Sequence, residues 1–117
     1  MTGALGERMA RLFLEGQGFK VLYRNFRGAH GGEVDLVCRD RRTLVFVEVK
    51  TRLSLWYGRP AEAVTPAKEH LIRRGAKEWL ARLRSDDIPA RFDVVEVVLK
   101  NGRLPELNLI RNAFGEA

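Results

Sequence analysis

Two apolar strand patterns, each interrupted by charge at an inward position, constrain this chain more than any other feature. They lie between Gly31 and Arg52, in GGEVDLVCRDRRTLVFVEVKTR. Glu33 to Cys38 and Thr43 to Thr51 carry the strand patterns, and the charged, turn-compatible Arg39, Asp40, Arg41 and Arg42 between them predict a β-hairpin. Side chains alternate faces along a strand, so Leu44, Phe46, Glu48 and Lys50 share one face and Val45, Val47, Val49 and Thr51 the other. Both faces are apolar over most of their length, which predicts cover on both sides and puts Glu48 and Lys50 where unpaired charge is costly. A four-residue connection through Arg39 to Arg42 places Phe46 opposite Asp35 and leaves Glu48 one diagonal step away on the same face; slipping by one residue would send Asp35 to the other face. Carboxylates reaching across such a diagonal, roughly 7 to 8 Å at Cα, can share a hard divalent cation.

The rest of the chain is short enough to be organised around this hairpin. At 117 residues it fits one domain, 1–117, with one core. Its 45% hydrophobic and 31% charged residues are those of a soluble globular protein, and no apolar run approaches a membrane span. Glu7 and Arg8 interrupt the stretch where a secretory signal needs apolar residues, so a cytoplasmic location is expected, with no membrane partner. The single cysteine, Cys38, excludes an intramolecular disulfide, and with only His30 and His70 beside it a structural zinc site is disfavoured. Any metal would be bound through oxygen. Net charge is +6, and 16 of the 21 basic residues are arginine, the side chain suited to bidentate phosphate contact. Nucleic acid is the natural polyanionic partner, although a genomic bias toward arginine or life at high temperature would produce the same surface.

In chain order, Leu5, Met9, Leu12 and Phe13 follow helical spacing over Thr2 to Glu15, and Gly16 and Gly18 stop the helix. Glu7, Ala10 and Leu14 form a ridge at the edge of that apolar arc. Glu7 is therefore open to two readings, a first-turn acid favoured by the helix dipole or a side chain looking toward the sheet. Phe19 to Arg24 predicts a strand, followed by a flexible loop from Asn25 to Gly32 that is not a phosphate-binding P-loop, because no Gly-Lys-Ser/Thr follows. A long connection from Arg52 to Val64 holds Leu55, Trp56 and Tyr57, which suit base stacking, a dimer contact or the domain's own core. Thr65 and Pro66 mark a second helix running to about Arg84, with Leu71, Ile72, Gly75, Ala76, Trp79, Leu80 and Leu83 on its buried arc. The opposite stripe, His70, Arg73, Arg74, Lys77 and Arg84, either tracks the phosphates of a nucleic acid or is a solvated face, the commoner explanation for charge on a helix, whereas Lys68 falls near the centre of the apolar arc, either facing the charged pocket or snorkelling to solvent. Arg91 to Lys100 predicts a strand, and Asn101-Gly102 a two-residue hairpin turn leading to a weaker strand over Leu104 to Ile110.

Asp35, Glu48 and Lys50 together resemble the D…(D/E)xK signature of the restriction-endonuclease-like nuclease superfamily, in which a carboxylate on one strand precedes E-x-K on the next. With GERMARLFLEGQGF, AEAVTPAK and RFDVVEV, nearly the whole chain resembles the uncharacterised bacterial YraN-type family, grouped with those nucleases, and it is also similar to archaeal Holliday junction resolvases. Val34 stands where the superfamily often has Pro, and Glu33 is an extra acid able to compete as a ligand.

The resemblance implies an α/β fold with an αβββαβ core and a mixed central sheet flanked by helices. It implies that Asp35 and Glu48 hold Mg²⁺ or Mn²⁺, with the Val49 carbonyl as an additional ligand and Glu7 as either a ligand or a contact to a bound water. Lys50 would position the attacking water or stabilise charge on the phosphate, and Arg52 and Lys68 would contact phosphate. The expected activity is metal-dependent hydrolysis of phosphodiesters, in DNA rather than RNA, on branched or repair intermediates. A branch-cutting enzyme is expected to be a two-fold homodimer. The competing expectations are a nucleic-acid-binding module of the same fold without catalysis, and a basic scaffold for a protein partner. The plain alternative for the charged cluster is an ion pair of Glu48 with Lys50, to which Asp35 adds a hydrogen bond.

Overall fold

The computed structural model describes residues 2–53, 64–84 and 87–115. Its elements run in the expected order: α1 (Thr2–Gly16), β1 (Lys20–Arg27), β2 (Glu33–Asp40), β3 (Thr43–Arg52), α2 (Pro66–Leu83), β4 (Ala90–Val98) and β5 (Glu106–Ile110). The strands form one mixed sheet in the order β1-β2-β3-β4-β5, antiparallel except for the parallel β3–β4 pair that α2 connects. This is the α/β class read from the sequence, compatible with a restriction-endonuclease-like core. No helix of the described residues is long and apolar enough to cross a membrane.

Each helix covers one face of the sheet. Ala10 and Leu14 of α1 pack with Leu36, Cys38, Val45, Val47, Val95 and Val97, while Ile72 and Ala76 of α2 pack with Phe26, Val37, Leu44, Phe46 and Phe92. Strand β3 is therefore apolar on both sides because it is covered on both sides, and its alternation matches the sequence reading. Helix α2 starts where Thr65 accepts the Lys68 N–H at 3.1 Å, with Pro66 in the first turn.

Several expectations are corrected. The hairpin turn holds two residues, because β2 extends to Asp40, which pairs with Thr43; Phe46 then stands opposite Val37 and not Asp35. The shift is by two residues, so the paired side chains from Leu36 to Val47 keep their faces. On α1 the buried ridge is Ala10 and Leu14, whereas Leu5 and Leu12 are 46% and 58% exposed. Leu83, the last residue of α2, is likewise exposed. Asn101-Gly102 does occupy a turn, closed by Arg103 N–H donating to the Lys100 carbonyl, but strand pairing resumes only at Val98↔Glu106.

The loop after β1 is the largest departure. Strand β1 runs on to Arg27, so only Gly28 to Gly32 connect it to β2, and this loop is pinned. Both carboxylate oxygens of Glu78 accept main-chain N–H bonds from it, from His30 at 2.9 Å and Gly32 at 3.0 Å, and Arg74 donates to the His30 carbonyl at 3.0 Å. A Cβ at Gly32 would lie 2.5 Å from Gly75 Cα. The glycines serve a close approach of loop to helix.

Candidate active site

The site forms where β2 leaves β3. Their pairing stops at Leu36↔Val47 although β3 continues to Arg52, so Asp35 and Glu48 face each other one step past the last pair. There the Asp35 carboxylate replaces a main-chain acceptor, its Oδ2 taking the Val49 N–H at 2.9 Å. Val34 and Leu36, which strict alternation would put on one face, pack under different helices, so β2 twists at Asp35. Across from it, Asn25 of β1 lies between the Arg24↔Leu36 and Phe26↔Val34 pairs and adopts φ 55°, a left-handed conformation that asparagine tolerates.

Glu48 is buried, 4% exposed, and its Oε1 has no hydrogen-bond partner among the described residues. Burial, then the Asp35 charge and a hydrogen bond with Asp35 that favours the neutral form, push its pKa up to about 8 against the pull of Lys68 and Lys50. Lys68 reaches down from the first turn of α2, with Nζ 3.2 Å from Glu33 Oε1 and 3.9 Å from Glu48 Oε2. Burial opposes its charge, yet Glu48, Glu33 and Asp35 outweigh burial and raise its pKa. The expected placement of Lys68 in the charged pocket is thus met. Lys50 is half-buried, follows Glu48 on the same face and has no ion-pair partner within 4.0 Å among the described residues. Glu33, the extra acid, is held by Lys68 and by Arg27 at 3.3 Å.

Glu7 turns to the sheet. It shares its ridge with the buried Ala10 and Leu14, and Gly6 beside it lies so close to Thr51 that a Cβ there would meet the Thr51 hydroxyl. Burial and then the charge of Asp35 raise its pKa, while a polar contact with Asn25 and the charges of Arg24 and Arg27 oppose them. Among the described residues no three His, Cys, Asp or Glu side chains stand close enough to hold a metal ion. The structure brings Asp35 and Glu48 together as a pair, with Glu7 within reach of Asp35's field.

The expected nucleic-acid contacts divide. Arg52 pairs with Glu96 Oε2 at 3.4 Å. Arg73 bonds Glu69 and the Phe114 carbonyl and lies over the Phe92 ring, and Arg74 is spent on the loop and His70. Lys77 is exposed. The aromatic segment Leu55 to Tyr57 lies outside the described residues. Sequence reasoning overlooked Glu96, 0% exposed, which also accepts from Asn108 at 3.3 Å and is the parallel-strand partner of Lys50. Its signal was available, since one acid inside VVEVV breaks an apolar run just as Glu48 does in VFVEVK.

A family model described as "Uncharacterised protein family UPF0102" matches residues 6–97, a span that holds every residue of this site. The chain belongs to this family. It is the YraN-type family that the motifs resembled. Among UPF0102 relatives, a protein of Trichlorobacter lovleyi is 50% identical over 97% of this chain and 89% of its own length. One from Symbiobacterium thermophilum is also 50% identical, over 97% of this chain and 95% of its own length, and one from Geobacter sulfurreducens is 46% identical over 97% and 88%.

The donor set suits a hard cation. Mg²⁺ is commonly held by one or two carboxylates with several waters retained, and the orphaned, buried Glu48 Oε1 beside Asp35 is the kind of oxygen such an ion would satisfy. Asp35 and Glu48 would hold it, with Glu7 and the Val49 carbonyl at the margin.

Proposed function

We propose that this UPF0102 protein is a metal-dependent nuclease that hydrolyses phosphodiester bonds in DNA, acting in the cytoplasm on branched or repair intermediates. The observation that carries the proposal is the buried Glu48 carboxylate, which faces Asp35 with one oxygen unpartnered and two lysines beside it. A buried acid set against a second, half-buried one is a poor way to stabilise a fold, so Glu48 beside Asp35 asks for a use. Bound Mg²⁺ or Mn²⁺ supplies neutralising charge at a phosphoryl oxygen and acidifies a coordinated water.

The chain's own groups would do the rest. Asp35 and Glu48 present oxygens at the bottom of the gap between β2 and β3, and the Val49 N–H holds the Asp35 carboxylate in place. Lys50 lies on the Glu48 face without an acid of its own, so its ammonium is available to orient a water or to balance charge on the phosphate. Lys68 fixes Glu33 and Glu48 from above. In the reaction, water oxygen bonds to phosphorus, the phosphorus bond to the leaving sugar oxygen breaks, and a proton passes to that oxygen. A branched substrate would be met by a two-fold dimer.

A second reading is a nucleic-acid-binding module without catalysis. Exposed arginines such as Arg8, Arg24 and Arg39, which make no ion pair among the described residues, favour it. The test is cleavage of labelled single-stranded, duplex, flapped and four-way-junction DNA with Mg²⁺ or Mn²⁺, comparing wild type with folded Glu48→Gln and Lys50→Ala. Metal-dependent cutting reduced about 100-fold or more in both variants, with binding retained, is expected. No cutting of any substrate, together with salt-sensitive binding indifferent to both substitutions, would transfer the assignment to the binding module.

A further inference from the structure

The opposite end of the sheet carries a second constellation. The β2–β3 turn, the start of β4 and the residue following β5 surround an open cavity of about 810 Å³ whose walls include Arg41, Arg42, Arg91 and Arg111. Two of these arginines are built in. Arg91 Nη2 and Arg111 Nη1 both donate to Asp40 Oδ2, at 2.9 and 3.2 Å, and both guanidiniums lie 5.5 Å from the Phe19 ring centroid. Arg91 also donates to Asp93 at 3.1 Å. The Arg91 hydrogen bond above all, with Arg111 adding to it against some desolvation, holds the Asp40 carboxyl below its ordinary range.

Of the other two arginines, Arg41 sits where backbone preference would not put it. Asp40 pairs directly with Thr43, so Arg41 and Arg42 alone make the turn, and Arg41 has φ 58°. Two-residue hairpin turns favour Asn-Gly or a similar pair because such residues accept positive φ without penalty. Here both positions are arginine, exposed, and without an ion-pair partner among the described residues. Arg91 and Arg111 share Asp40, Arg91 also meets Asp93, and Arg41 and Arg42 have no acid of their own, so the four guanidiniums outnumber these two carboxylates by two. Planar guanidiniums held by acids and an aromatic ring are pre-oriented for bidentate contact with phosphate oxygens.

We propose that this cavity is a second phosphate-binding site for nucleic acid, gripping a backbone segment other than the one presented to Asp35 and Glu48. Thr43 and Glu48 are five residues apart on β3, which separates the two sites by ~17 Å along the strand. The proposal rests on the nucleic-acid part of the function proposed above and not on catalysis.

The test is duplex and four-way-junction DNA binding in metal-free buffer, measured from low to moderate salt for wild type and for the double variant Arg41→Gly/Arg42→Asn, which puts glycine at the one central position with positive φ. That variant installs the residues the turn prefers, so misfolding cannot imitate loss of a contact. The expected result is affinity at least ~5-fold weaker across sequences, with the slope of log affinity against log salt shallower by up to ~1.8 for the two lost contacts. Unchanged affinity and slope would overturn the proposal, including the case where inorganic pyrophosphate binds wild type and not the variant, which would make this a small-anion site. Because metal is absent, a protein that never cuts DNA still gives an answer, and one that cuts but ignores these arginines fails here alone.

Discussion

Asp35 Oδ2 accepts the Val49 N–H at 2.9 Å, so a side chain closes the hydrogen-bond ladder at the step where β2 leaves β3. The same carboxylate is thereby structural and, in the function proposed above, a metal ligand, and two substitutions separate the roles. Asp35→Asn keeps an oxygen for Val49 but loses the charge, and should cost under ~1 kcal/mol of stability while abolishing metal affinity. Asp35→Ala leaves the N–H unsatisfied and should cost about 1–3 kcal/mol as well. Urea unfolding alongside Mn²⁺ calorimetry reads both; equal stability of the two variants would contradict the ladder role.

Glu48 makes stability depend on pH in an unusual direction. Its pKa is raised in the folded protein to about 8 from an ordinary 4.5, so between those values the folded state holds a proton that the unfolded state releases. Stability contributed by this group is therefore complete below about pH 4.5 and lost as pH rises toward 8, at most about 1.4 kcal/mol per pH unit. Glu48→Gln, which cannot ionise, should melt with a flatter profile and exceed wild type above pH 8 in chelator-treated buffer. Parallel profiles for the two proteins would show that Glu48 does not titrate in this window.

The loop–helix contact gives a steric prediction. A Cβ at Gly32 would lie 2.5 Å from Gly75 Cα, so Gly32→Ala must lift the loop from α2 and disturb its bonds to Glu78. About 2–3 kcal/mol of destabilisation is expected from the denaturation midpoint. Gly16→Ala, where nothing lies within 4 Å, should instead be neutral or stabilise by about 0.5 kcal/mol.

Glu96 is buried completely, against Arg52 at 3.4 Å and Asn108 at 3.3 Å. Glu96→Ala takes the acid from an arginine whose side chain is only 15% exposed and should cost about 2–3 kcal/mol. Glu96→Gln preserves volume and a hydrogen-bonding group and should cost less. Thermal melts of both variants check the order, which reverses if Glu96 acts only as filler.

The sequence by itself determined what depends on local period. The element order, the faces of β3, the Thr65-Pro66 helix start and the placing of Asp35 and Glu48 on one side followed from alternation by two, helical spacing and turn chemistry. Even the misjudged hairpin turn left those faces intact, because its error was an even number of residues.

Tertiary structure decided the rest, because it turns on contacts between residues far apart in the chain. Which ridge of α1 is buried, and so where Glu7 looks, is set by the close approach of Gly6 to Thr51. Whether Gly28 to Gly32 is a loose loop depends on Glu78, 48 residues beyond His30. Arg52, Arg73 and Arg74 read as a surface for phosphate until Glu96, the Phe114 carbonyl and the His30 carbonyl claim them. A charge in a sequence shows that a partner is needed; only the packed chain selects which one it meets.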